Sequence, residues 1–364
     1  MQSLSVLLPC AFGAALIPLL SKLAFAMDWL DHPDARKAHE GAVPLVGGVA
    51  VSAAFVLGLA VLGRWNDLPP AFFHGAAMML LIGMVDDRRP LPSLPRFALQ
   101  ALAIWIAFAA GGNVLADVGR LTGTALWNLG WWSMPLTVFG VLGVVNAINM
   151  SDGADGLAGG IAVSSLACFF AAFQFLRLDG ALPATTADPS VAVLVLIGAL
   201  LGFLVFNLRT PWRARASVFL GDSGSLAIGF ALGWFAVAAA GQPGSRDLSP
   251  VAALWILIVP LFDTISCMIR RTLQGRSPMS ADRQHAHHLL QALGLSMATT
   301  VWVLIGLNAL GGIIGLTAWR LGVPDRWMFA AITALFVAYT VGSILGWKRL
   351  MRASVKVEPR MAAN

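Results

Sequence analysis

A chain of 364 residues that is 58% hydrophobic and 12% charged is not a soluble globular protein. Its mean hydropathy of +0.78 is that of a polytopic membrane protein. The formal net charge of +6 does not point to nucleic acid, because the basic residues are scattered among short loops and form no patch. Cys10, Cys168 and Cys267 lie inside apolar stretches without metal-type spacing, so they read as small buried residues and imply no disulfide framework.

About 20 apolar residues suffice to cross roughly 30 Å of hydrocarbon as a helix. Eleven such spans are expected, near 3–26, 44–63, 70–85, 97–112, 134–150, 158–176, 190–207, 224–241, 251–269, 298–319 and 327–347. The fold class is therefore all-α, one polytopic membrane bundle over 1–347 followed by a basic tail at 348–364. Ala24-Phe25-Ala26 looks like a signal-peptidase site, but no Lys or Arg precedes the apolar run, and cleavage is not expected. The loops at 27–43, 86–96, 208–222 and 270–297, with the tail, hold seventeen Lys and Arg, whereas the alternate loops hold six. The positive-inside rule then sets the N-terminus outside and the C-terminus in the cytoplasm. Trp127, Trp131 and Trp132 precede the fifth span as an outer interfacial belt would.

Five polar constellations fall on the basic side. The first, at 28–48, holds Asp34, Arg36, Lys37 and His39 before Pro44 and the Gly47-Gly48 pair. Cations beside a membrane suit phosphates, although a basic loop that only sets topology would look the same. The second, Gly83 to Pro90, places Asp86 and Asp87 at the end of the third span. Adjacent carboxylates repel, so a site using both employs a cation, a shared proton or an arginine. The alternative is a solvated helix end paired with Arg88 and Arg89.

The third, NAINMSDGADGLAGG at 146–160, ends an uncharged run with Asn146, Asn149, Asp152 and Asp155, spaced at three and interleaved with glycines. Continued helix would keep the last three on one face, while the glycines argue for backbone lying close to a ligand. The fourth, FLGDSGS at 219–225, follows Arg209, Arg213 and Arg215; Asp222 is there either a helix cap or a ligand for Mg²⁺. The fifth runs from Asp263 through Arg270 and Arg271 to QGRSPMSADRQHAHHLL at 274–290. It holds three of the six histidines, His285, His287 and His288, after Asp282 and Arg283. His-x-His-His can bind zinc, but beside arginines and without cysteine partners an anion site is the better reading. Carboxylates for a divalent metal, basic donors for phosphates and a membrane that supplies a lipid together describe phosphoryl transfer involving a lipid phosphate.

These five stretches resemble the polyprenyl-phosphate N-acetylhexosamine-1-phosphate transferases, the WecA type more than the MraY type. They follow the family's order through most of the chain, and the SPMSADRQHAHH loop is similar to that of enzymes using simple UDP-N-acetylhexosamines. The resemblance implies transfer of N-acetylglucosamine 1-phosphate, or a related N-acetylhexosamine 1-phosphate, from the UDP-sugar to undecaprenyl phosphate. UMP is released, and a surface polysaccharide such as O antigen is started at the bacterial inner membrane. The implied partners are those two substrates and membrane lipids, and the implied cofactor is Mg²⁺, with Mn²⁺ the alternative. Family members often carry Asp-Asp-x-x-Asp at the second motif, whereas position 90 here is proline.

Carried over to this chain, the catalytic carboxylates are Asp86, Asp87, Asp152 and Asp155, and the metal ligands Asn149 and Asp222, with Asp152 as substitute ligand. Asp86 would orient or deprotonate the lipid phosphate; Asp87 and Asp155 belong to the metal or nucleotide shell. Lys37, Arg283, His285, His287, His288 and Asp263 are the substrate-binding set. A direct displacement is expected, with a phospho-aspartate on Asp86 or Asp87 as the rival route. From other classes, an ion-coupled transporter would place its carboxylates near the midplane, and a scaffold would tolerate losing them.

Overall fold

The computed structural model describes residues 2–32, 41–111, 114–123, 125–180, 188–241, 247–280 and 284–361, with side chains to residue 350. Lys37 and Arg283 lie outside the described residues, as do Asp34, Arg36, His39 and Asp282.

Each expected span is helical. The helices are α1 (Gln2–Ala26), α2 (Gly47–Val61), α3 (Pro70–Arg88), α4 (Ser93–Gly111), α5 (Ser133–Ser151), α6 (Leu157–Leu178) and α7 (Pro189–Asn207). They continue as α8 (Gly221–Ala240), α9 (Pro250–Ile256), α10 (Ile258–Leu273), the short α11 (Ala286–Ala292), α12 (Met297–Arg320) and α13 (Asp325–Met361). Among the described residues, eight helices are long and apolar enough to cross a membrane, and the bent pair α9 and α10 makes nine. Of the remaining two, α2 is apolar but only 15 residues long, and α3 ends in two aspartates and an arginine. The protein is a multi-pass, all-α membrane protein.

α8 is the most enclosed of these helices, and its small residues explain why. A Cβ on Gly83 of α3 would lie 2.3 Å from Ser223 Cα, and one on Gly48 of α2 would lie 2.3 Å from the Gly224 nitrogen. Glycine at the contact lets backbones approach where lipid supplies no hydrophobic drive for association. The segment entering α8 is pinned as well. Phe219 N–H donates to the Pro44 carbonyl, and the N–H groups of Gly47 and Gly48 donate to the carbonyls of Phe219 and Leu220, each at 2.9 Å. A two-residue antiparallel ladder pairs Leu30–Asp31 with Val43–Pro44 beside this entry.

The expected continuous span at 251–269 is broken: α9 and α10 meet at 85° around Leu257. The backbone groups freed by the break are taken up from the side. Ser165 Oγ donates to the Ile256 carbonyl at 3.0 Å, and Asn308 Oδ1 accepts from Val259 N–H at 3.4 Å. The Asn308 amide in turn donates to Ser164 and Ser165, both at 2.9 Å. Pro260, with no N–H to give, sits in the first turn of the new helix, where none is needed. Hydropathy registers the apolar stretch, but the break depends on polar partners from α6 and α12.

Candidate active site at one end of the bundle

Alternating helix directions bring the end of α3, the start of α4, the ends of α5 and α7, the start of α8, and α11 to one face of the bundle. They enclose a cavity of about 1000 Å³ lined by Asp86, Asp87, Asn149, Asp152, Asp155 and Asp222, and also by Arg209, Arg215 and His288.

Asp222 stands in the first turn of α8, and its Oδ1 is 2.5 Å from the Asn149 amide, which also reaches Ser225 Oγ at 3.0 Å. Asp222 is not the helix cap. That role falls to Asp87, reaching across from α3 to accept from the N–H groups of Asp222 at 2.7 Å and Ser223 at 3.1 Å. A carboxylate at a helix N-terminus is favoured by orphan donors and by the dipole. Gly221, at φ +75°, makes the turn that offers these N–H groups, and a Cβ there would meet Asp87 Oδ2 at 2.8 Å.

Asp86, buried, accepts from Leu91 N–H at 2.7 Å and from Arg96 Nη1 of α4 at 2.8 Å. The chain can fold back on Asp86 this way because α3 stops at Arg88 and Pro90 turns it; Pro90 itself lines the cavity. Asp155 accepts from Arg209 Nε at 2.7 Å and Ala216 N–H at 3.2 Å, joining the third and fourth motifs. The helix continued through Asp155 in one sequence reading is not formed. α5 ends at Ser151, and the turn before α6 passes through Gly156 at φ +84°. Gly156 N–H is held by Asn207 Oδ1, while the Asn207 amide donates to the Val218 carbonyl.

Asp152 faces the same space. Loss of solvent, then the charges of Asp222, Asp87 and Asp155, push its carboxyl well above the ordinary range. Crowded carboxyl and amide oxygens of this kind are the donor set that a hard divalent cation prefers, completed in practice by substrate phosphates. Asn149 and Asp222 could hold one together, were the amide rotated to present its oxygen beside Asp222.

The fifth motif divides. His288 lines the cavity. His287 is buried against the turn, where a Cβ on Gly153 would lie 2.8 Å from its Cε1, and its Nε2 has no hydrogen-bond partner. Burial, then the neighbouring His288 and His285, lower its pKa to about 3, so it is neutral. Asp263 and His285 are not among the cavity-lining residues. They pair with each other at 2.8 Å in the buried layer behind α11.

Sequence reasoning passed over Arg96, Arg209 and Arg215 as site residues, counting them for topology. The signal was available for two of them: three arginines in seven positions lead directly into FLGD. Arg96, ten residues beyond Asp86 and past three prolines, carried none.

Fold and site define an integral membrane enzyme with an acidic, divalent-cation type of site faced by cations. Residues 70–240 match the family described as Glycosyl transferase family 4. The chain is 34% identical over 348 residues, 94% of its length and 91% of the relative's, to an undecaprenyl-phosphate alpha-N-acetylglucosaminyl 1-phosphate transferase from Escherichia coli O157:H7. Similar proteins of that name from Yersinia pestis and Haemophilus influenzae are 33% and 32% identical, covering 90% and 91% of this chain and 87% and 90% of theirs. The chain belongs to glycosyl transferase family 4, as a multi-pass membrane transferase.

Proposed function

We propose that this enzyme transfers N-acetylglucosamine 1-phosphate from UDP-N-acetylglucosamine to undecaprenyl phosphate, releasing UMP, with Mg²⁺ as the cation. The observation that carries the reading is the Asn149 and Asp222 pair, with Asp86 fixed nearby in the same cavity and Arg209, Arg215 and His288 along its wall. The chain's resemblance to relatives bearing that activity in their names supplies the sugar and the lipid. The loops that carry this end of the bundle hold most of the Lys and Arg, which supports a cytoplasmic site in the inner membrane.

Asn149 and Asp222 would hold the cation, which supplies charge stabilisation to the pyrophosphate and the departing UMP. The rest falls to the chain itself. Arg209, Arg215 and His288 are donors of the kind that grip phosphate oxygens. A phosphate monoester has its second pKa near 6 and is mostly a dianion at pH 7, so it needs little help losing a proton. Asp86, held by a guanidinium and a backbone N–H, then serves chiefly to orient the attacking phosphate. Asp87 has both oxygens committed to the start of α8, which favours a single displacement over a phospho-aspartate.

The test is UMP release by purified protein given UDP-N-acetylglucosamine and Mg²⁺, with and without undecaprenyl phosphate. Lipid-dependent release is expected, falling by about 10²–10³-fold in Asp222→Asn. No release from folded protein with this or any other UDP-N-acetylhexosamine would defeat the reading. Exchange of labelled UMP into the UDP-sugar without lipid would favour the covalent route instead.

A further inference from the structure

Behind α11, outside the cavity, Asp263 and Cys267 of α10, His285 before α11, and Tyr339 of α13 converge in a buried cluster. Asp263 Oδ2 accepts from His285 Nδ1 at 2.8 Å, while Oδ1 accepts from Ala286 N–H at 2.8 Å and from the Tyr339 hydroxyl at 3.0 Å. Donors from two separate elements thus meet on one carboxylate. His285, the N-cap residue of α11, makes no side-chain cap of its own, so Asp263 takes that place from another helix. Arg270 closes the far side, donating to the Gln284 carbonyl, to Cys267 Sγ and to Ser343 Oγ. A carboxylate this enclosed is tolerated only when paired and fully hydrogen-bonded, and this one is.

We propose that Asp263, backed by Tyr339, is a positioning residue that holds His285 as an imidazolium and through it sets the register of α11, which carries His288 into the cavity and His287 against Gly153.

His285 meets Asp263 and Cys267 from α10 and stacks on His287; Tyr339 of α13 touches Asp263, Arg270 touches Cys267, and His288 packs on His287. Burial alone would lower its pKa. The hydrogen bond that His285 donates to Asp263, and then the Cys267 contact, overcome that and raise it to about 10. Asp263, Cys267 and His285 also lie close enough together to ligate a soft divalent metal. Arg270 Nη2, 3.1 Å from Cys267 Sγ, opposes a cation there, and Ala286 and Tyr339 already occupy Asp263 Oδ1. The cluster is a hydrogen-bonded latch.

The kinetic part of the test rests on the transferase reading; the spectroscopic part does not. Full-length protein in lipid nanodiscs, labelled with ¹⁵N-histidine, is expected to show one imidazolium that persists from pH 7.5 to 9 and is lost in His285→Gln. In Asp263→Asn that resonance should titrate at or below the ordinary histidine value of about 6.5. The same variant should raise KM for UDP-N-acetylglucosamine about tenfold, with kcat/KM declining from pH 6 to 8, and Tyr339→Phe should shift both in the same direction by less. If Asp263→Asn does not fold, the wild-type spectrum and Tyr339→Phe carry the test. The latch is overturned by a wild-type spectrum with no imidazolium above pH 7.5, including one from protein holding about one zinc per chain. Unchanged titration and KM in folded Asp263→Asn would overturn it too. Absence of turnover by the wild type would sink the transferase reading and leave the spectroscopic result standing.

Discussion

Asp86 and Asp87 are neighbours in sequence with different tasks, because successive helix positions point about 100° apart. Asp87 reaches α8 and caps it, whereas Asp86 meets Arg96 and the turn at Leu91. Substituting Arg96→Gln would free one oxygen of Asp86 while Leu91 keeps the other. A hydrogen bond to a charged group contributes about 1.5–3 kcal/mol, so kcat should fall by roughly 10–100-fold. Steady-state UMP release checks this, and an unchanged kcat would remove Arg96 from the machinery. His285 yields a stability prediction. Its folded pKa lies above its ordinary value, so its contribution is fully present below pH 6.5 and is lost as pH rises through about 10. The thermal midpoint of wild type should therefore fall relative to Asp263→Asn across that window; parallel curves would contradict it.

At the scale of elements, the break between α9 and α10 turns α10 by 85° and brings Asp263 beneath α11. Asn308 supports that break from α12. Asn308→Leu removes the acceptor for Val259 N–H and two donors to serines, at a cost of about 1–3 kcal/mol for each buried group left unpaired. Thermal unfolding in detergent should show a lower midpoint, and an unchanged one would mean the break is held otherwise. Hydropathy made 251–269 legible as a span, yet a polar residue in the middle of α12 and two serines of α6 decide that it bends. Those residues looked unremarkable in their own apolar runs. The short α11 was equally out of reach, because a seven-residue helix depends on a cap donated from α10.

Over the whole molecule, Trp131 and Trp212 stand at opposite ends of the bundle and are 97% and 85% exposed. On the topology proposed from the charge distribution, Trp212 faces the cytoplasm. Single-cysteine reporters at 212 and 131 in a cysteine-free background should react with an impermeant maleimide from opposite sides, 131 from outside in intact cells. Both labelled from one side would refute the topology. The site lies at one end of the bundle, which a midplane ion pathway would not require.

The sequence by itself determined the membrane class, the positions of the long apolar helices and the residue types around the site. All three are local properties: apolar runs of membrane-crossing length, and short motifs whose chemistry is legible residue by residue. Tertiary structure alone decided that Asp87 serves α8 across 135 positions, that Arg96 fastens Asp86, that Asp155 and Arg209 pair, and that Asp263 stands behind the cavity. The reason is physical. Which carboxylate meets a cation, a helix end or a histidine depends on how helices distant in sequence pack at their small residues, and no local pattern encodes that packing.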